Sequence, residues 1–236
     1  LKSLNRPLPI AYWSQGPHEG WEVYDGRERT SPTPSELRMQ AYHALSTGIT
    51  SLYWFNLSYA SLIKYPDLME PMQRIGREIR LLDSFYIQGT QWEYATIGTE
   101  KNPLWDVSTF VAPQGILLFA LDLDYRIDTN TRTFLFEKNK KANLQYKIPA
   151  WVDSNWQLLR IGNEDLDTIP FTLTDDGFLL INDTVTEAGI YVLLPTAARA
   201  EELKSRWEKL RDEEDKLEFD PAKNAKDLQL FIQLNN

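Results

Sequence analysis

The order of four elements near the start of the chain limits its possible folds more than any other feature. The apolar run "LPIAYW" (residues 8–13) reads as a buried strand with Pro9 near its start. After a polar stretch comes "SPTPSELRMQAYHALSTGITSLYWFN" (residues 31–56). Thr33 fits an N-cap, Pro34 the first helical position, and Glu36 the third residue of a capping box. Leu37, Ala41, Ala44 and Leu45 make an apolar stripe that Tyr42 flanks, and Gly48 suits a left-handed helix stop. "ITSLYWF" is then rich in β-branched and aromatic residues, as a buried strand is. Leu68, Met72, Ile75, Ile79 and Leu82 recur at four, three, four and three, which predicts a helix over residues 67–85. A strand–helix–strand–helix order with helical crossovers demands parallel strands and an α/β arrangement.

The rest of the chain follows a different rule. Between residues 88 and 195 short apolar runs alternate with turn signals: "QWEYATIG", "ILLFALDLD", "RTFLFE", "NLQYKI", "WQLLRI", "IPFTLT", "GFLLIN" and "GIYVLLP". Pro113-Gln114-Gly115 and Asp175-Asp176-Gly177 punctuate them, the second as a hairpin signal. This segment predicts an antiparallel β-sandwich or barrel. Residues 196–236 read as a helical tail, with Ala200, Leu203, Trp207 and Leu210 as one stripe among dense charges. Asp220-Pro221 opens a second helix there. Three segments result, at 1–87, 88–195 and 196–236.

Two strands and two helices cannot form a parallel α/β domain by themselves, because the sheet keeps unpaired edges. A (β/α)8 barrel takes about 250 residues. The expected architecture is therefore α/β plus all-β: the last βα units of an incomplete (β/α)8 barrel, an antiparallel β-sandwich and a short helical tail. The first residue is Leu rather than Met, and no signal-peptide pattern precedes the fold. The chain is expected to be a C-terminal piece whose N-terminal barrel portion is its necessary partner.

"SPTPSELRMQAYHALSTGITSLYWFNLS" followed by "PDLMEPMQRIGREIRLLDSF" resembles the final βα units of glycoside-hydrolase-like TIM barrels. In that family a "PTPEEL" helix precedes a strand ending in "YWS", and a helix of the form "W..L..I..EIR.L.P" follows. Bacterial members, including β-galactosidase-like proteins, carry a β-sandwich next. The resemblance covers residues 7–87, the following segment in kind, and the tail not at all.

The active face of such a barrel lies at the C-terminal ends of its strands. The loop after the first strand, "SQGPHEGWEVYDGRERTSPT", runs for 20 residues and holds Gln15, His18, Glu19 and Trp21. Loops of that length are functional or disordered. Carboxylates beside aromatics suit a sugar site, and a solvated surface loop is the alternative. The resemblance places the nucleophile near Ser14-Gln15, but Gln15 is not a carboxylate. Glu19 could reach inward, and the acid/base residue would come from an earlier strand. Trp13, Gln15, His18, Trp21, Trp54 and Asn56 are the expected substrate-binding residues. Strand alternation puts Trp54 and Asn56 on one side, with Tyr53 and Phe55 toward the helices. Trp54 is then either a sugar-stacking platform or core packing.

The other chemistry is thin. The chain has 236 residues, no cysteine and a net charge of −9, which removes thiolate chemistry and argues against a nucleic-acid surface. No apolar run approaches the roughly 20 residues of a membrane span. His18 and His43 have no metal spacing, so neither a metal nor a cofactor is expected. "DLDYRID" lacks the glycine and glutamate of a calcium loop. Two readings of function remain: a glycoside-hydrolase-like protein acting on oligo- or polysaccharide, for which an extracellular or periplasmic location is favoured, and a non-catalytic carbohydrate-binding or structural protein on a degenerate barrel.

Overall fold

The computed structural model describes residues 9–18, 29–55, 57, 59–216 and 226. Strands β1 (Ala11–Gln15) and β2 (Ser51–Phe55) pair in parallel, with Trp13 opposite Tyr53 and Gln15 opposite Phe55. Helix α1 (Pro34–Leu45) connects them. Its capping box is complete: Glu36 N donates to Thr33 Oγ1 at 3.3 Å, and Thr33 N donates to Glu36 Oε2 at 2.8 Å. Gly48 turns the chain out of the helix at φ 80°, where a β-carbon would be strained. Tyr42 does not flank the stripe; it is fully buried with Leu37, Met39 and Ala41. The reason is that α1 has neighbours on several sides, namely β1, β2, a following helix and a sheet behind it.

A short helix, α2 (Tyr59–Lys64), which the sequence pattern did not predict, and a 3₁₀ turn at Pro66–Leu68 come next; the predicted helix start at residue 67 falls in that turn. Helix α3 spans Met69–Gln88, with Pro71 tolerated in its first turn. Leu68, Ile75 and Leu82 are buried as their spacing requires.

Beyond α3 the pairing is antiparallel throughout. β3 (Thr90–Thr99), β4 (Asn102–Ala112), β5 (Gly115–Asp122), β9 (Gln157–Ile161), β10 (Leu166–Thr168) and β13 (Ala188–Leu194) make a six-stranded sheet in the order β10-β9-β13-β5-β4-β3. β8 (Lys140–Lys147), β11 (Thr172–Leu173) and β12 (Phe178–Val185) form a second sheet, β11-β12-β8. β6 (Arg126–Asp128) and β7 (Thr133–Leu135) form a separate ribbon. Asp175-Asp176-Gly177 does turn β11 into β12, with Gly177 at φ 87°.

The six-stranded sheet is covered on both faces. Leu117, Phe119 and Leu121 of β5 join a core with Leu37, Tyr42, Ile75 and Phe85 of the helices. The alternate residues Ile116, Leu118 and Ala120 join a second core with Leu144, Tyr146, Leu179 and Ile181 of the smaller sheet. Burial on both sides explains why β5 reads as an uninterrupted apolar run. Helix α4 (Ala197–Glu214) adds Ala200, Leu203, Trp207 and Leu210 to the helical core, so the predicted tail stripe is buried against α3 and the sheet. One core thus draws on all three sequence segments. The second tail helix lies outside the described residues.

Candidate functional site

The β1–β2 pair presents two faces. Leu52 and Trp54 pack against the helical core, and Ser14 on the same face is buried. The opposite face carries Trp13, Tyr53 and Phe55, exposed by 62%, 52% and 40%. The Trp13 ring lies 5.9 Å from both the Tyr53 and the Phe55 rings, at 37° and 43°. This reverses the expected facing: Trp54 turns toward the helices, and Tyr53 and Phe55 turn away. Period-2 alternation fixes which residues share a face, but here both alternate sets are apolar, so hydrophobicity could not choose the phase.

Gln15 follows Trp13 on the exposed side, opposite Phe55 in register. Its amide nitrogen meets His18 Nε2, so an N–H donor faces a ring nitrogen that accepts in neutral imidazole. His18 is buried, and its backbone N donates to Ser31 Oγ at 3.2 Å. Gly16 N donates to Phe55 O at 3.1 Å and carries the pairing past the strand end. Gly16 is also close-packed: an added β-carbon would lie 3.0 Å from Trp54 Cβ. The structure thus brings Trp13, Gln15 and His18 together at the C-terminal ends of the strands. Glu19, Trp21 and Asn56 lie outside the described residues.

The N-terminus of α1 borders this place and is tied to the β6–β7 ribbon. Glu36 Oε1 accepts from Phe134 N at 2.9 Å while Oε2 closes the capping box. The same carboxylate therefore fixes the helix start and a segment 98 residues further along.

A buried ion cluster joins α1 and α3. Glu78 of α3 is completely buried and receives Arg38 Nη1 at 2.7 Å, Arg38 Nη2 at 3.0 Å, Arg74 Nε at 3.0 Å and the Tyr42 hydroxyl. Arg38 Nε also reaches Glu187 Oε1 at 3.2 Å. Burial by itself would raise the Glu78 carboxyl, but the two guanidiniums and the Tyr42 hydroxyl outweigh it and hold Glu78 below the ordinary carboxylate range. Burial raises Glu187, which its Arg38 contact does not fully offset. Burial lowers His43, with Asp106 acting against it, which suits a structural histidine. The sequence reading missed the Arg38–Glu78 pair. Its signal is that Glu78 occupies an apolar position in the 71-75-78-82-85 spacing of α3.

Chemically, the β1–β2 face offers aromatic surface for the apolar face of a pyranose ring and neutral polar groups for hydroxyls. It offers no described carboxylate at the strand ends. Among the described residues no group of three or more His, Cys, Asp or Glu could hold a metal ion, and no helix is long and apolar enough to cross a membrane.

No protein-family model and no curated protein matches the chain. Seven chains of solved structures match it. One is a GH30 endoxylanase from Clostridium papyrosolvens C71, at 7% identity and a TM-score of 0.42, covering 77% of this chain and 41% of that one. Another is the catalytic domain of GH30 xylanase C from Talaromyces cellulolyticus, at 10% identity and a TM-score of 0.43, covering 81% and 42%. The chain spans about two fifths of the length of these solved structures.

Proposed function

We propose that this chain is the C-terminal portion of a glycoside-hydrolase-like protein acting on oligo- or polysaccharide. Its β1–β2 pair would be the last two strands of a (β/α)8 barrel, and its antiparallel sheets an accessory β-sandwich. The observation that carries the reading is the exposed Trp13–Tyr53–Phe55 face, on the side of β1–β2 away from the helices. In a barrel this face is the interior, and the strand ends beside Gln15 and His18 are the active rim. Among the described residues the parallel pair has no third strand at either edge and carries aromatics on its free face, which supports further strands beside it. Glycoside hydrolysis takes two carboxyl groups. On this reading Glu19 supplies one, and an earlier strand of the missing portion supplies the acid/base residue.

Gln15 supports a second reading, a barrel that binds carbohydrate without turning it over, because it stands where the resemblance places a carboxylate. Reducing-end release separates the two. The protein in its complete form is incubated with a panel of neutral and acidic polysaccharides, with Glu19→Gln as the comparison. Product release that Glu19→Gln abolishes supports hydrolysis. Calorimetric binding without product supports the second reading, and neither binding nor product removes both.

A further inference from the structure

A second aromatic site lies on the antiparallel part of the molecule, remote in sequence from β1 and β2. The register of β3 against β4 shifts between Gln91 and Glu93, so Trp92 has no partner opposite it. Such a bulge re-aims the side chain it carries. Trp92 is 48% exposed, and its ring lies 6.2 Å from that of Trp151, which is 61% exposed, at an interplanar angle of 69°. Two flat rings thus form an open corner. Trp151 also lines a hollow of about 530 Å³ with Trp156, Val111, Pro113, Ile116 and Pro195, and no charged residue lines it.

The corner is built rather than loose. Glu93, next to Trp92, accepts from Lys147 N at 3.1 Å, which ties the edge of one sheet to the end of the other beside the Trp151 turn. Val152 N donates to Pro149 O at 3.2 Å and closes that turn around Trp151. Asp153 then receives Asn155 N at 2.8 Å and Trp156 N at 3.3 Å, which fixes the segment leading to the third ring. Ser154 and Asn155, three and four residues beyond Trp151, are exposed and neutral.

We propose that Trp92 and Trp151, with the adjoining hollow, bind a neutral saccharide. Ring faces take the apolar face of a sugar, and neutral polar groups take its hydroxyls. The hollow, which no charged residue lines, gives an ionic ligand no counter-charge. Area argues against a protein partner. At these exposures each tryptophan offers about 100–150 Å². Their sum, roughly 250 Å², is about a third of the ~800 Å² that each side of a stable protein interface buries. The proposal rests on its own geometry and does not require the chain to be part of a hydrolase.

The test is isothermal titration of the chain with cellohexaose and xylohexaose, both neutral probes. It is run in a Trp13→Ala background so that the β1–β2 face does not contribute. Trp92→Ala and Trp151→Ala are each expected to weaken binding at least tenfold and to remove the saccharide-induced change in tryptophan fluorescence, with unchanged melting temperature. Absence of binding to either probe, or affinities within twofold of the background, overturns the proposal. So does conversion of a dimer to a monomer by Trp151→Ala in sedimentation without saccharide binding, which would make the corner an interface between copies.

Discussion

Glu78→Gln perturbs the buried ion cluster at its centre. The substitution keeps the shape and removes the charge, leaving Arg38 and Arg74 to share Glu187 and a neutral amide. Arg38 is only 3% exposed, so water cannot replace the lost acceptor. Removing one partner of a buried pair costs about 3–5 kcal/mol, because the remaining charge stays desolvated. With a urea slope of about 2–3 kcal/mol/M for a chain of this size, the midpoint should fall by about 1–2.5 M. Replacing the pair together, as Arg38→Met with Glu78→Leu, should lose at least about 2 kcal/mol less than the sum of the single changes, since no unpaired guanidinium of Arg38 remains. The pH dependence has a definite sign. A carboxyl whose folded value is depressed below 4.5 gives stability above that pH and loses it as pH falls through the folded value. Acidification below 4.5 should therefore destabilise the unmodified protein more than Glu78→Gln. Glu187 acts in the opposite sense, because its raised value favours the folded state as pH falls. Urea curves monitored by circular dichroism at several pH values measure all of this. A Glu78→Gln midpoint within about 0.3 M of the unmodified protein, about 0.6–0.9 kcal/mol on the same slope, would refute the reasoning.

Other perturbations test other parts of the account. Thr33→Ala removes the capping oxygen of α1 and should cost about 1 kcal/mol in the same urea assay. Gly48→Ala forces a β-carbon into φ 80° and should cost about 1 kcal/mol, read as a lower melting temperature. Trp207→Ala empties a buried site where the Arg77 guanidinium lies 4.6 Å from the ring, and should cost about 3–5 kcal/mol. A smaller loss would mean that α4 docks only marginally. Trp13→Ala lies on the exposed face and should change stability by less than about 0.5 kcal/mol in this chain, while weakening saccharide binding.

Local chemistry made the helical part of the fold legible. Thr33, Pro34, Glu36 and Gly48 each specify one backbone state, and the structure uses them as such. The α3 stripe was equally readable because its apolar spacing is regular. Strand β4 was not recognised, since Asp106, Ser108 and Thr109 interrupt its apolar pattern although all are buried. Their burial depends on tertiary neighbours: Asp106 accepts from Thr96 at 2.7 Å and from the Tyr94 hydroxyl of the adjacent strand. The same limit hid the Arg38–Glu78 pair, because a charged residue reads as solvated until its partner, 40 residues away, is known. The sequence reading named Trp13, Gln15 and His18, which the structure places near one another, but it inverted the faces of β2. Leu52 and Trp54 are as apolar as Tyr53 and Phe55, and only the position of the helical core distinguishes them.

Oxidative footprinting of the protein as isolated from its native source tests the central proposal most directly. Trp13 and Trp151 are exposed to the same degree in this chain, 62% and 61%. If further barrel strands cover the free face of β1 and β2, Trp13 should be oxidised several-fold more slowly than Trp151 in the absence of saccharide. Equal oxidation of the two tryptophans, with no protection of Trp13 on adding saccharide, would contradict the barrel and the glycoside-hydrolase-like reading built on it.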